Sequence, residues 1–378
     1  MGLEIQQFGK TKSGEQVHKY ILTNNNGIAV SVIDYGAIIT NIITPDKEGK
    51  TDDIVLGFDT ISQYEENGNC YGSFIGRNAN RIGKASCNIN GELYKLEKND
   101  GKNNLHSGNK GYNKFMYKAN VLSSEIPSIE FTRTSPDMEQ GFPGTINLSV
   151  IYTLSEENEL ILTYHAVSDK DTIINLTNHS YFNLAGHASG TVLHHKVSVL
   201  ADNFTPSDEE FIPTGEIREV AGTPMDLRLL KPLGVDINAD YLQLKQAGGY
   251  DHNYIIRDKN NSLQEDGIAV ESDQPVKEED RVAKEAGKIV KAAELLEDNS
   301  GRRMEVFTTE PCMQLYTGNF INGKEAGKEG FVYEKHGGVC FETQKYPNSC
   351  NIPSFPSSVV RAGEEYFSKT IYKFSVIN

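Results

Sequence analysis

Ile146-Asn147-Leu148-Ser149-Val150-Ile151-Tyr152-Thr153-Leu154, the turn Ser155-Glu156-Glu157-Asn158, and Glu159-Leu160-Ile161-Leu162-Thr163-Tyr164-His165-Ala166 form one continuous stretch with a hydrophobic period of two. Ile146, Leu148, Val150, Tyr152 and Leu154 alternate with less apolar neighbours, and Leu160, Leu162, Tyr164 and Ala166 do the same after the turn. Side chains on a strand point to opposite faces in succession, so this pattern predicts a β-hairpin with one face in a core. Working outward, Ile28 to Ile33 and Ile38 to Ile43 are β-branched runs broken at Gly36, and Lys196 to Leu200 and Tyr372 to Val376 read as further strands. Many short strands separated by Gly, Asn and Pro turns predict an all-β protein, a sandwich of antiparallel sheets.

One segment breaks the pattern. Residues 262–288 are rich in Glu, Asp and Lys, and from Glu278 the apolar residues Val282, Ala286, Ile289, Val290 and Ala293 fall at helical spacing. This predicts a short charged helical insertion at the surface, ending near Lys288. Asp298-Asn299-Ser300-Gly301 is a turn, and Met304 to Phe307 a strand after it.

The chain has 378 residues and a formal net charge of -15. Such an acidic balance disfavours nucleic acid and anionic membranes, both of which need a basic footprint. No apolar run reaches the ~18 residues of a membrane span, and the first residues lack the sections of a signal peptide, so the expectation is a cytoplasmic protein. Five cysteines without a Cys-x-x-Cys pair signal neither a disulfide framework nor a zinc site. Length alone, at ~150 residues per domain, suggests two or three domains.

Candidate chemistry gathers in a few polar segments. Asn175-Leu176-Thr177-Asn178-His179-Ser180-Tyr181-Phe182-Asn183-Leu184 sets a histidine among amides, hydroxyls and aromatic rings, the side chains that hold a sugar. Asn103 to Gly108 contains His106, Tyr250 to Tyr254 contains Asp251, and Cys340-Phe341-Glu342-Thr343-Gln344 places Glu342 in a buried strand, where desolvation makes it a stronger base. Adjacent His194 and His195 must face opposite sides of a strand and form no two-ligand metal site. With no tryptophan in the chain, an apolar platform for a sugar must come from Tyr or Phe, and Tyr181 and Phe182 are the nearest candidates.

Taken together, these segments resemble the aldose 1-epimerase (galactose mutarotase) family. Gly76-Arg77-Asn78-Ala79-Asn80-Arg81-Ile82 is similar to the family's Gly-Arg-x-Ala-Asn-Arg-Ile, Asn104-Leu105-His106 to its Asn-x-Leu-His, and Thr177 to Leu184 to its Thr-Asn-His-x-Tyr-Phe-Asn-Leu. Tyr250 to Asn253, Thr308 to Pro311, Gln314 to Asn319 and Phe341 to Gln344 complete the family order. Asn78 and Cys312 depart from it, standing where Val and Gly are frequent, and the charged insertion is longer than usual.

The resemblance implies one large domain over residues 1–378, a β-sandwich of galactose mutarotase type (a supersandwich), and an isomerase that interconverts the α and β anomers of free aldohexoses such as D-galactose and D-glucose. It implies Glu342 as proton acceptor, His179 as proton donor and His106 in support. It further implies Asn80, Arg81, Ser180, Tyr181, Asp251 and Gln314, with His106, as ligands of the sugar. A carboxylate facing an imidazolium would keep both charged near pH 7 with no metal and no organic cofactor. The expected partner is a free aldose; monomer or homodimer is left open, as is the preferred sugar. Two other readings stand beside this one: a glycoside hydrolase using Asp251 and Glu342, and a non-catalytic sugar-binding or sensing protein on the same fold.

Overall fold

The computed structural model describes residues 1–257 and 288–377. The hairpin of alternating residues lies at the centre of the architecture. Ile146–Leu154 pairs with Glu159–Ser168 in unbroken antiparallel register, Ile146 opposite Ser168 and Leu154 opposite Leu160. The even-numbered side chains are buried, so the period of two is the period of burial.

This hairpin belongs to a nine-stranded antiparallel sheet that runs from Lys118–Ser123 through Ser128–Ser135, the hairpin, Glu365–Val376, Arg302–Thr308, Val290–Leu296 and Lys196–Val199 to Lys231–Pro232. A five-stranded meander holds the N-terminal strands Gly2–Lys10 to Thr51–Asp53. A second five-stranded sheet has the order Arg218–Glu219, Ala201–Thr205, Asp251–Ile256, Cys312–Tyr316, Cys340–Gln344. One contiguous apolar core joins all three, with Val30, Ile39, Val150, Leu162, Leu315 and Phe341 among its members. The antiparallel β-sandwich expected from the periodicity is the fold observed.

The expected strand after Lys288 is Val290–Leu296, followed by Arg302–Thr308. The helical insertion expected over 262–288 falls, apart from Lys288, outside the described residues. Two short helices, Ile61–Glu66 and Leu242–Ala247, carry no such charge pattern and were not anticipated. The first is set by Thr60, whose hydroxyl accepts from Gln63 N while the Gln63 side chain answers the Thr60 amide. Among the described residues no helix is long and apolar enough to cross a membrane.

His194 and His195 do not alternate on a strand. They occupy the turn before Lys196–Val199: His194 is half-exposed beside Glu297, while buried His195 accepts the Leu184 N–H on Nε2 at 3.0 Å. The backbone of a turn, not a pleat, separates them.

Candidate active site

The second five-stranded sheet decides where the polar residues meet. Gln314 is registered against Glu342, and Tyr316 against both Asp251 and Cys340. Alternation then puts Asp251, Asn253, Gln314, Tyr316, Glu342 and Gln344 on one face. The interleaved Tyr254, Met313, Leu315 and Phe341 lie in the main core on the other. All five residues of Cys312–Tyr316 and of Cys340–Gln344 are buried, because both faces of these strands are covered.

Thr177–His179 brings the histidine to this face. It pairs with Ser73–Ile75, His179 opposite Ser73, and its last carbonyl accepts the Gly72 N–H at 3.1 Å. Gly72 has φ 66°, and a Cβ there would lie 1.9 Å from the Ile39 carbonyl oxygen, so only glycine lets the chain pass so close. The Asn80–Arg81 and His106 segments are joined through the short pair Arg81–Ile82 and Asn104–Leu105. Asn80 and His106 both adopt left-handed backbone, φ 64° and 51°. The neighbouring Arg77 is fully buried and turned away, donating to the Pro143 carbonyl at 2.7 Å and to Ser135 Oγ at 2.8 Å. Arg77 anchors this segment; Arg81 faces the cavity.

The result is a cavity of about 490 Å³ whose lining includes Asn80, Arg81, His106, His179, Tyr181, Asp251, Gln314 and Glu342. Eight of the nine site residues expected from the sequence therefore converge. Ser180 is the exception: it is buried away from the lining, and its hydroxyl and N–H both bond Asn178 Oδ1, at 2.6 and 3.0 Å. Alternation after His179 turns it inward. Phe182 is likewise not a platform, since it packs in the core against Phe341 and Tyr372. The aromatic lining comes instead from Tyr181, Tyr316 and Phe320, the last two stacked with centroids 6.1 Å apart. Tyr316 was legible: it lies two residues beyond Gln314 and so on the same face of the strand.

His179 Nε2 lies 3.5 Å from Glu342 Oε1, both side chains almost wholly buried. The other carboxylate oxygen, Oε2, is buried without a hydrogen-bond partner among the described residues, an arrangement that is costly unless a ligand completes it. Tyr181 stacks on the His179 ring at 5.0 Å, and the edges of His106 and Tyr316 close in from other sides. Burial pushes His179 down to about 4. Burial, reinforced by the charge of Asp251 and opposed by Arg81, pushes Glu342 well above the usual carboxylate range. The ion pair suggested by the sequence is thus not what this buried enclosure favours. Burial lowers the proton affinity of the imidazole and raises that of the carboxyl group, so desolvation draws a proton shared by the pair toward the carboxylate.

Asp251 is occupied from two sides. Gln314 Nε2 donates to its Oδ1 at 2.6 Å, and the Arg81 guanidinium stands 3.9 Å from Oδ2. Arg81 also donates to Asp100 at 2.7 Å and lies over the Phe211 ring. It therefore both pairs with a surface acid and faces the cavity.

The ring nitrogens of His106 and His179 and an oxygen of Glu342 fall within 4.8 Å of one another, a donor set that could hold a metal ion. The hydrogen bonds of His106 argue for another use. Its Nδ1 accepts the Asn80 N–H at 3.2 Å, and burial holds the ring neutral. The remaining hydrogen is then on Nε2, which makes that nitrogen a donor and not a metal ligand.

Comparison with known proteins shows the family. A family model described as aldose 1-epimerase matches residues 18–373. The chain belongs to the aldose 1-epimerase family. It is 39% identical over 370 residues to galactose mutarotase of Sus scrofa, covering 98% of this chain and 97% of that one. It is 34% identical over 364 residues to aldose 1-epimerase of Escherichia coli strain K12, covering 96% of each. Among solved structures, an aldose epimerase homologue from C. elegans superposes with a TM-score of 0.81 at 28% identity, over 95% of this chain and 98% of that one. Galactose 1-epimerase from Lactobacillus acidophilus gives 0.80 at 26% identity, over 100% and 99%. As a member of the aldose 1-epimerase family, the protein is an isomerase with the galactose mutarotase fold.

Proposed function

We propose that the protein interconverts the α and β anomers of free aldohexoses such as D-galactose and D-glucose, with Glu342 and His179 exchanging protons with the sugar. The observation that carries this reading is the unpartnered, buried Oε2 of Glu342 beside His179, at a cavity otherwise lined with groups that bind hydroxyls.

Ring opening takes the proton of the anomeric hydroxyl, forms the C1 carbonyl, breaks the bond from C1 to the ring oxygen, and protonates that oxygen. Glu342 accepts the first proton and His179 supplies the second. Rotation about C1–C2 and the reverse transfers close the ring on the other face. A sugar hydroxyl donating to Glu342 favours its carboxylate form and so moves the shared proton to His179, which readies both partners at once. His106, with its hydrogen on Nε2, donates to the oxygen where negative charge builds up. Asp251 accepts from sugar hydroxyls, Asn80, Arg81 and Gln314 donate, and Tyr181 and Tyr316 offer apolar surface to the ring. No metal or organic cofactor enters this chemistry.

That Gln314 and Arg81 both engage Asp251 supports a binding role for it over the acid of a glycosidase. Polarimetry of freshly dissolved α-D-galactose and α-D-glucose tests the reading. The native protein should accelerate mutarotation above buffer, and Glu342→Gln should return the rate nearly to background. No acceleration of either sugar by folded native protein, or release of the aglycone from an aryl glycoside, would overturn it.

A further inference from the structure

Gln344 lies two residues beyond Glu342 on the same face of its strand, wholly buried, and the proton transfers leave it without a task. It belongs to a chain of amides whose direction is fixed at one end. Asn80 Oδ1 accepts the backbone N–H of Arg81 at 2.7 Å. A backbone N–H can only donate, so this end of the Asn80 amide is its oxygen. Asn80 Nδ2 is then directed at Gln344 Oε1, 3.4 Å away. With its oxygen turned to Asn80, Gln344 donates through Nε2 to Asn253 Oδ1 at 2.9 Å, and Asn253 Nδ2 reaches Thr205 Oγ1 at 3.3 Å. All four side chains are buried. Flipping any one amide would set oxygen against oxygen or N–H against N–H where water cannot compensate.

We propose that Gln344 is a positioning residue that holds Asn80 as a hydrogen-bond donor to the substrate, so that one sugar hydroxyl is read as an acceptor. The proposal rests on the aldose reading above. Asn80 lines the cavity, its oxygen is engaged by Arg81, one Nδ2 hydrogen is engaged by Gln344, and the other is the hydrogen it offers. Asp251, a carboxylate in the same cavity, reads hydroxyls in the opposite sense. The site therefore separates ring positions by the direction of the hydrogen bond as well as by shape.

Monodeoxy and monofluoro hexoses substituted away from C1 and C5 test this, because fluorine can accept but not donate and hydrogen does neither. With KM as the readout, native protein should show a position where the deoxy sugar is about tenfold worse than the parent and the fluoro sugar much less so. Asn80→Ala should erase that gap at the same position. Gln344→Met, similar in length but lacking the acceptor, should erase it too, with KM for the parent sugar up about fivefold and kcat changing less. Asn253→Leu, which frees Gln344 to flip, should narrow it and serves if Gln344→Met does not fold. A folded Gln344→Met that keeps the gap, or a gap that Asn80→Ala leaves untouched, overturns the proposal alone. A native protein that accelerates no hexose brings down the aldose reading and this one together.

Discussion

Asp53 with Lys328 and Glu342 with His179 are both buried pairs of ionisable groups, and their surroundings could hardly be more different. Asp53 receives Lys328 Nζ and Asn41 Nδ2 on one oxygen, each at 2.6 Å, and the Ile42 and Val55 amides on the other at 3.1 and 3.3 Å. Lys328 also donates to the Val55 carbonyl at 2.8 Å. Glu342 has a histidine 3.5 Å from one oxygen and, among the described residues, no hydrogen-bond partner on the other. The first pair is completed by its own chain and ties the N-terminal meander to the loop around Lys328. The second is left incomplete beside a cavity, as the proposed exchange of protons with a sugar requires. Satisfaction of the lone pairs, rather than burial or charge, separates the self-completed pair from the one proposed to react.

The contrast is broken most forcefully at Glu342. Glu342→Gln should cost about a thousandfold in kcat, in keeping with loss of one general acid–base partner, while the fold is kept or strengthened. The sign for stability follows from linkage. The folded pKa of Glu342 is raised, so its favourable contribution is full below the unfolded value of about 4.3 and is lost as pH rises through the folded pKa. Thermal unfolding should therefore show the Gln protein gaining on the native one between pH 4 and neutrality; a large destabilisation by Gln would make Glu342 structural.

Lys328→Met should do the reverse. Leaving Asp53 buried without its cation should cost about 3 kcal/mol in urea unfolding, with turnover by the folded protein retained. A neutral effect on stability would erase the distinction drawn above.

Asp251→Asn should act more gently. The charge of Asp251 holds the pKa of Glu342 up, so its removal should move the alkaline limb of the kcat/KM profile to lower pH. The acid limb, where His179 at about 4 takes up a second proton, should stay. An alkaline limb that does not move would detach it from Glu342. The smallest expected effect is none: EDTA should leave the native rate unchanged, and a loss restored by a divalent metal would make the cluster of His106, His179 and Glu342 a metal site.

Legibility differed between the strands of the two regions. The hairpin Ile146 to Ala166 borders the core on one face only, so its burial alternates and so does its sequence. Cys312–Tyr316 and Cys340–Gln344 are covered on both faces, and their polar residues stand out only against a run that is otherwise apolar. Glu342 was recognisable for that reason. Ser180 and Phe182 were misread because neighbours in a sequence motif need not share a side of the chain: the residue after His179 faces inward and Phe182 faces the core. Phe320 and Phe211 carried no periodic signal, since loops deliver both.

The sequence by itself determined the period of two, hence the antiparallel sandwich, and the set of polar segments from which the site is made. Those are local properties of residue type and spacing. Only the tertiary structure decided that segments near residues 80, 106, 179, 251, 314 and 342 share one cavity, because strand register is fixed by packing across the whole core. The direction of every proton affinity there was decided in the same way. A carboxylate facing an imidazole suggests an ion pair on paper, but the walls of aromatic rings and the absence of a partner for Oε2 make the neutral forms cheaper, and desolvation is a property of the enclosure and not of the residues.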